Sequence, residues 1–197
     1  KIKNIGVEQC KNLAEITSKM KIKTYDKFWT KQLSNTILKK HGKFDVIYSA
    51  NTISHIHNLE ETFKAIENSL SINGVFILED PSLLKSLQKI SYDQFYDEHA
   101  YVFSITALKN INKNTGLEIF NIEELKTHGG SNRVYFKKVD NKHIKVSKKV
   151  NLHLLNEKKF GINNLETYKI FAKKVKVSKK NFFKIFQFLK KRKNKII

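Results

Sequence analysis

The sequence predicts an α/β fold, a mostly parallel sheet with helices on both faces, over residues 2–139. Three observations carry that prediction. Phe44-Asp-Val-Ile-Tyr-Ser-Ala50 and Val75-Phe-Ile-Leu78 are nearly continuous apolar runs, as strands covered on both faces must be. Between them Leu59, Phe63, Ile66 and Leu70 recur at helical spacing. Asn73-Gly74 then turns the chain out of that helix and into the second strand. Strand and helix in alternation are the pattern of a parallel sheet with crossover helices.

The remaining elements follow in order. Residues 2–7 form a short apolar strand ending at Glu8, with a helix over 12–20 behind it. A second short strand covers 22–25 and a second helix 26–40. After the strand at 75–78 the chain reaches Glu79-Asp-Pro81, and later a helix over 106–114 stops near Gly116. Residues 117–122 and 133–139 read as two more strands. Beyond Lys142 the alternation weakens into successive amphipathic helices at 152–160, 165–177 and 181–193. Phe182, Ile185, Phe186 and Leu189 mark one apolar face of the last, read as a packing face rather than a membrane-binding one.

A chain of 197 residues, 40% apolar and 11% aromatic, can bury a real core, which excludes global disorder. Its single cysteine, Cys10, excludes an internal disulfide and any cysteine-rich zinc site, and reads as a small semi-buried side chain. No secretory leader pattern or membrane-length apolar stretch is present, so a soluble, cytoplasmic protein is expected. The net charge of +20 raises nucleic acid or an anionic membrane as a partner. Against both, the lysines are spread along the chain and arginine occurs only at Arg133 and Arg192. Lys, Asn and Ile in abundance match a genome biased toward A and T, and only residues 179–195 are densely basic. Neither nucleic acid nor membrane is therefore the expected partner.

The chemistry concentrates in two segments. Tyr92-Asp-Gln-Phe-Tyr-Asp-Glu-His-Ala-Tyr-Val-Phe-Ser104 sets a phenol, two carboxylates and an imidazole side by side at Tyr96, Asp97, Glu98 and His99. Imidazole titrates near neutrality, and a neighbouring carboxylate can orient it and raise its basicity, so the group can move a proton. Thr127-His-Gly-Gly-Ser131 adds His128 and a glycine pair, Gly129 and Gly130, where backbone can approach a ligand closely. The residues alone also describe an acidic, aromatic surface loop with one incidental histidine. Glu8, Asn51, His55 and Asp80 all fall at or just after strand ends, on the side where such sheets bind ligands.

With these residues in view the chain resembles class I S-adenosylmethionine-dependent methyltransferases of the sugar C-methyltransferase group. The segments that carry the resemblance are Gly6-Val-Glu8, Asp45-Val-Ile-Tyr-Ser-Ala-Asn-Thr-Ile-Ser-His-Ile-His57, Gly74-Val-Phe-Ile-Leu-Glu-Asp-Pro81, Ser91-Tyr-Asp-Gln-Phe-Tyr-Asp-Glu-His99 and Thr127-His-Gly-Gly-Ser131. The resemblance implies a Rossmann-like sheet and methylation of a carbon in a nucleotide-linked deoxy-keto-sugar. Glu8 would hold the cofactor ribose, Ala50 and Asn51 the loop passing the cofactor, and Phe28 and Trp29 the neighbourhood of the adenine. His99 would be the general base, with Tyr96 and Glu98 as its immediate partners and His55 as a second active-site imidazole. His128, Gly129 and Gly130 would line the sugar site.

The pattern departs from the family in two ways. No Gly-x-Gly loop is present, and the chain starts where the family's second strand starts. The family's first strand, which lies at mid-sheet, and its amino-terminal zinc-binding region have no counterpart, so two apolar strand edges are expected to be unpaired and no metal is expected here. The chain thus reads as an internal fragment: a methyltransferase core at 1–140, then a mostly helical start of a carboxy-terminal domain at 141–197, entering a strand at its last residues. Gln9-Cys10 also replaces the Pro-Ser more usual after the ribose-binding acid. The rival readings are a basic nucleic-acid-binding protein acting through its Lys-rich tail and an inactive fragment of a methyltransferase.

Overall fold

The computed structural model describes residues 3–192. In chain order the elements are β1 (Ile5–Val7), α1 (Lys11–Lys19), β2 (Lys23–Tyr25), α2 (Lys31–His41), β3 (Phe44–Ala50), α3 (Leu59–Ser69) and β4 (Leu70–Pro81). Then come α4 (Leu83–Lys89), α5 (Ile105–Asn112), β5 (Leu117–Leu125), β6 (Ser131–Lys138), α6 (Lys148–Phe160) and α7 (Leu165–Lys191). β1 and β2 pair in parallel as a two-stranded sheet. The other four strands form a sheet of order β3-β4-β6-β5.

The architecture is the Rossmann-like one expected; the sheet is mixed in that β6 alone runs against its neighbours. β3 runs parallel to β4, while β6 runs antiparallel to both β4 and β5. Connection length explains this: residues 126–130 join β5 to β6, and a parallel return needs a crossover of roughly a dozen residues or more. β1 and β3 are not bonded to each other, and among the described residues no strand lies between them. The expected unpaired edges are therefore present. β3 sits at a sheet edge with Val46 and Tyr48 exposed to 59% and 57%.

Several boundaries differ from the sequence expectation. The second helix starts at Lys31 instead of residue 26, because Thr30 adopts an extended backbone and its side chain accepts a hydrogen bond from the Leu33 N–H at 3.1 Å. Residues 26–30, with Phe28 and Trp29, are consequently loop. The strand expected at 75–78 runs from Leu70 to Pro81, held on one side by β3 and on the other by β6. The two helices expected at 165–177 and 181–193 are one helix, α7, since neither glycine nor proline interrupts it. Residues 2 and 193, and the strand expected at 195–197, lie outside the described residues. Cys10 is exposed instead of semi-buried, because it stands just before α1, whose one buried residue is Ala14.

The core is built on three phenylalanines, all 0% exposed: Phe63 of α3, Phe76 of β4 and Phe136 of β6. Phe63 meets the other two edge-on at 5.9 and 5.8 Å between ring centroids, and Phe76 stacks on Phe136 at 5.3 Å. These are the favoured geometries for aromatic pairs. Leu117, Ile119 and Ile122 of β5, Leu108 of α5 and Val150 of α6 join the same core. Leu84 and Leu87 of α4 pack separately with Ile162, between α6 and α7. α7 buries none of its residues; Phe182, Phe183, Ile185, Phe186 and Phe188 are exposed. No helix among the described residues is long and apolar enough to cross a membrane.

α6 is tied to the core by more than packing. Glu157, 1% exposed, accepts the N–H of Ile105 at 2.7 Å through Oε1, and the N–H and hydroxyl of Thr106 at 2.8 and 2.6 Å through Oε2. Those amides open α5, where helix donors lack partners and a negative charge is favoured. Glu157→Ala leaves buried donors unpaired. It is expected to lower unfolding stability by on the order of 3 kcal/mol, measurable by urea denaturation.

Candidate active site

A cleft of about 710 Å³ lies between β1 and β3. Its lower part is apolar and formed by Ile5, Val7, Ile37, Phe44, Val46 and Phe76. Its upper part, at the carboxyl ends of the strands, is polar and holds Glu8, Phe28, Trp29, Ala50, Asn51 and His55, with Glu98 at its rim. All five residues expected to hold the cofactor are thus gathered around one opening. The division follows from the fold: the apolar portion is the gap beside the β3 edge, and ligand chemistry is confined to the strand ends.

Local geometry suits a nucleoside at that end. Glu8 directly follows β1, and its Oε1 accepts the Cys10 N–H at 2.8 Å, which steadies the carboxylate while a pair of oxygens remains able to receive a diol. Asn51 takes a left-handed backbone (φ 50°), a conformation asparagine tolerates better than most residues. Its N–H donates to the Glu79 carbonyl at 2.8 Å, so the turn is anchored to β4. Trp29 packs against the core, and its Nε1 is buried without a partner among the described residues. The residues present therefore fit the adenosine half of S-adenosylmethionine: Glu8 for the ribose hydroxyls, Phe28 and Trp29 for the base, Ala50 and Asn51 for the passing loop.

The second cluster stands beside this cleft. His55 belongs to a 3₁₀ turn, Ile53–His55, after β3; His99 belongs to the long segment between α4 and α5. Their rings meet edge-on at 4.9 Å. His99 Nδ1 lies 3.0 Å from the Gln94 carbonyl oxygen, which can only accept, so Nδ1 carries the proton and Nε2 the lone pair. The Tyr96 hydroxyl donates to that Nε2 at 3.0 Å. By the same reasoning His55 Nδ1 donates to the Glu98 carbonyl at 2.7 Å, leaving its Nε2 basic. Glu98 thus meets His55 through its backbone rather than through its carboxylate. Tyr101 completes the assembly by donating its N–H to the Ser54 carbonyl at 3.1 Å and its hydroxyl to the His57 carbonyl at 2.8 Å.

His55, His99 and Tyr96 are brought together, whereas Glu98, expected as a partner of His99, meets His55 instead; His55 and Glu98 line the cleft and His99 does not. His128, Gly129 and Gly130 are not among the residues lining the cleft. They form a tight turn over α4, in which the Gly129 carbonyl accepts from the Lys89 ammonium. A side chain at Gly130 would sit 2.8 Å from Lys85 Cβ, so packing on α4 accounts for that glycine. Two contributors escaped the sequence reading. Ser54 and Tyr101 carry the hydrogen bonds that staple the two histidine segments, and only their proximity to His55 and His99 hinted at them.

Farther along β4, Glu79 receives Arg133 Nε and Nη2 at 3.0 and 2.9 Å and the Tyr48 hydroxyl at 3.3 Å. Burial, with the Glu79 charge added, pushes the Tyr48 phenol above its ordinary value, keeping it a neutral donor at the cleft wall.

Known proteins resemble this chain in sequence and in fold. Residues 2–122 match the family described as a methyltransferase domain, and residues 126–197 match a C-methyltransferase C-terminal domain. The chain is 26% identical over 168 residues to the C-methyltransferase NovU of Streptomyces niveus, covering 85% of this chain and 40% of that protein. It therefore spans less than half the length of that curated relative. Among solved structures, an S-adenosylmethionine-dependent methyltransferase from Clostridium acetobutylicum superposes with a TM-score of 0.51 at 19% identity, over 69% of this chain and 75% of that one. Another from Anabaena variabilis superposes at 0.51 and 15% identity, over 68% and 67%. The structural likenesses bear on the fold, and the sequence matches on the family. Over most of its length the chain belongs to the methyltransferase domain family.

Proposed function

We propose that the protein carrying this chain transfers a methyl group from S-adenosylmethionine to a carbon of a nucleotide-linked keto-deoxysugar. The observation that carries the proposal is the imidazole pair at 4.9 Å, with the Tyr96 phenol bonded to one ring, beside a cleft whose strand ends fit an adenosine. The match to NovU, a C-methyltransferase, supports carbon as the acceptor.

Carbon becomes a nucleophile when a proton is removed beside a carbonyl, which leaves an enolate. S-adenosylmethionine, when bound, supplies an electrophilic methyl group. The chain's own residues supply the rest. His99 Nε2, freed of its proton by the Gln94 contact, is the base, and Tyr96, bonded to that nitrogen, relays or yields the position as the sugar arrives. His55, facing the cleft, is placed to steady the enolate oxygen once its Nε2 has taken up a proton and can donate. Glu8 orients the cofactor through the ribose, fixing the approach of the two reactants. The direct test is to incubate the complete protein with S-adenosylmethionine and a panel of keto-deoxysugar nucleotides. A product one methylene heavier, with deuterium from solvent entering the carbon beside the ketone, is expected. Methyl transfer to oxygen or nitrogen alone, or salt-sensitive nucleic-acid binding with no cofactor affinity, would overturn the reading.

Glu8→Ala is expected to weaken S-adenosylhomocysteine binding by about ten- to a hundredfold, as loss of hydrogen bonds to a charged acceptor does, with the exchange reaction spared. Calorimetric titration of the complete protein measures it.

A further inference from the structure

The acid at the end of β4 takes no part in that chemistry. Asp80 is 3% exposed and is paired with Asn132 of β6, next to Glu79, where the pairing of β4 with β3 ends opposite Ala50. Its Oδ1 accepts the Ser54 hydroxyl at 2.8 Å, and its Oδ2 is buried with no partner among the described residues. A buried carboxyl so incompletely satisfied is costly, and a core position of this kind would ordinarily be apolar. Ser54, 1% exposed, is the residue before His55. It is also the residue whose carbonyl receives the Tyr101 N–H, two positions beyond His99. A single serine thus meets the rigid strand through its side chain and the 92–101 segment through its backbone, while its neighbour's ring packs on His99.

We propose that Asp80 is a positioning residue: through Ser54 it fixes the turn that presents His55 to His99, and so sets the imidazole pair against the cleft. The inference rests on the assignment of that pair to proton transfer. Asp80 touches neither cofactor nor substrate; it acts through Ser54. The hydrogen bond defines which way the Ile53–His55 turn lies on the end of β4. A 3₁₀ turn of three residues has little intrinsic rigidity of its own. What Asp80 must supply is an acceptor oxygen, which asparagine also provides and alanine does not.

The test compares Ser54→Ala, Asp80→Ala and Asp80→Asn in the complete protein, with histidine rings isotopically labelled for NMR. Ser54→Ala and Asp80→Ala are expected to abolish the cross-peak between the His55 and His99 rings and to lower kcat by about ten- to a hundredfold, the usual result of an ångström-scale misplacement. KM for S-adenosylmethionine should stay within about twofold, because the positioning acts on the proton-transfer groups. Asp80→Asn should keep both the cross-peak and kcat. Ser54→Cys, close in size and a poor donor, repeats the measurement should Ser54→Ala melt early. Absence of the cross-peak with turnover intact would support the positioning role and refute the catalytic reading of the pair. A folded Ser54→Ala or Ser54→Cys variant that keeps the ring cross-peak, or an Asp80→Asn that behaves like Asp80→Ala, would overturn the proposal.

Discussion

Turnover of the His99→Ala variant is expected to fall by roughly a hundred- to ten-thousand-fold, the range seen when a positioned general base is lost. Affinity for S-adenosylhomocysteine should be nearly unchanged, because His99 is not among the residues that line the cleft. The Gln94 carbonyl holds the proton on Nδ1, so it is Nε2 whose removal matters, and Tyr96→Phe should produce a smaller loss by removing the hydroxyl bonded to it. His99→Asn keeps a polar group of similar reach without the basicity and should be as inactive as the alanine. Solvent deuterium exchange into the ketone-adjacent carbon separates proton removal from methyl transfer and should fall in parallel. Near-normal exchange in His99→Ala would transfer the role to His55, whose Nε2 is also basic and which faces the cleft directly.

The second large effect is on stability. Burial raises the Asp80 carboxyl from 3.8 to about 7, with the Glu79 charge adding to the rise and the Ser54 hydrogen bond opposing it. The folded protein therefore holds this proton more tightly than the unfolded chain does. Between about pH 4 and pH 7 the folded state binds more protons, so stability is greatest below pH 4 with respect to this group and declines as pH rises through 7. At about 1.36 kcal/mol per pH unit, full ionisation costs on the order of 4 kcal/mol. Urea unfolding across pH 4 to 8 is expected to show that decline, and Asp80→Asn to remove most of it. A pH profile identical in the two proteins would mean that Asp80 is ionised without penalty.

The fold was legible where period and composition agree. The Phe44–Ala50 strand stands out as a nearly continuous apolar run, and the Leu59–Ser69 helix by apolar residues at helical spacing. The start of α2 was also written in the chain, as Thr30 three residues before Leu33, but a helix-like stretch alone does not place its first turn to within a few residues. The direction of β6 was not readable from its own residues, since strand composition says little about pairing; it follows from the brevity of the preceding turn. Of the site, the Tyr96–His99 run was visible by its chemistry, whereas the meeting of His55 with His99 spans 44 positions and became an expectation only through family resemblance. Glu157 was invisible: one acid in a Lys-rich helix looks solvated until α5 is placed at its end.

The edge of β3 bears on how these residues behave in isolation. An uncovered strand that exposes Val46 and Tyr48 offers its backbone to any other extended chain, and a second copy of the same strand is the most abundant candidate in a concentrated solution. Produced as a separate polypeptide, the 197 residues should self-associate through this edge in proportion to concentration. The high positive charge works against that association at low ionic strength and is screened as salt is added. Colloidal behaviour of this chain is thus governed by ionic strength, and dilute, low-salt buffer is the condition in which it should remain monomeric.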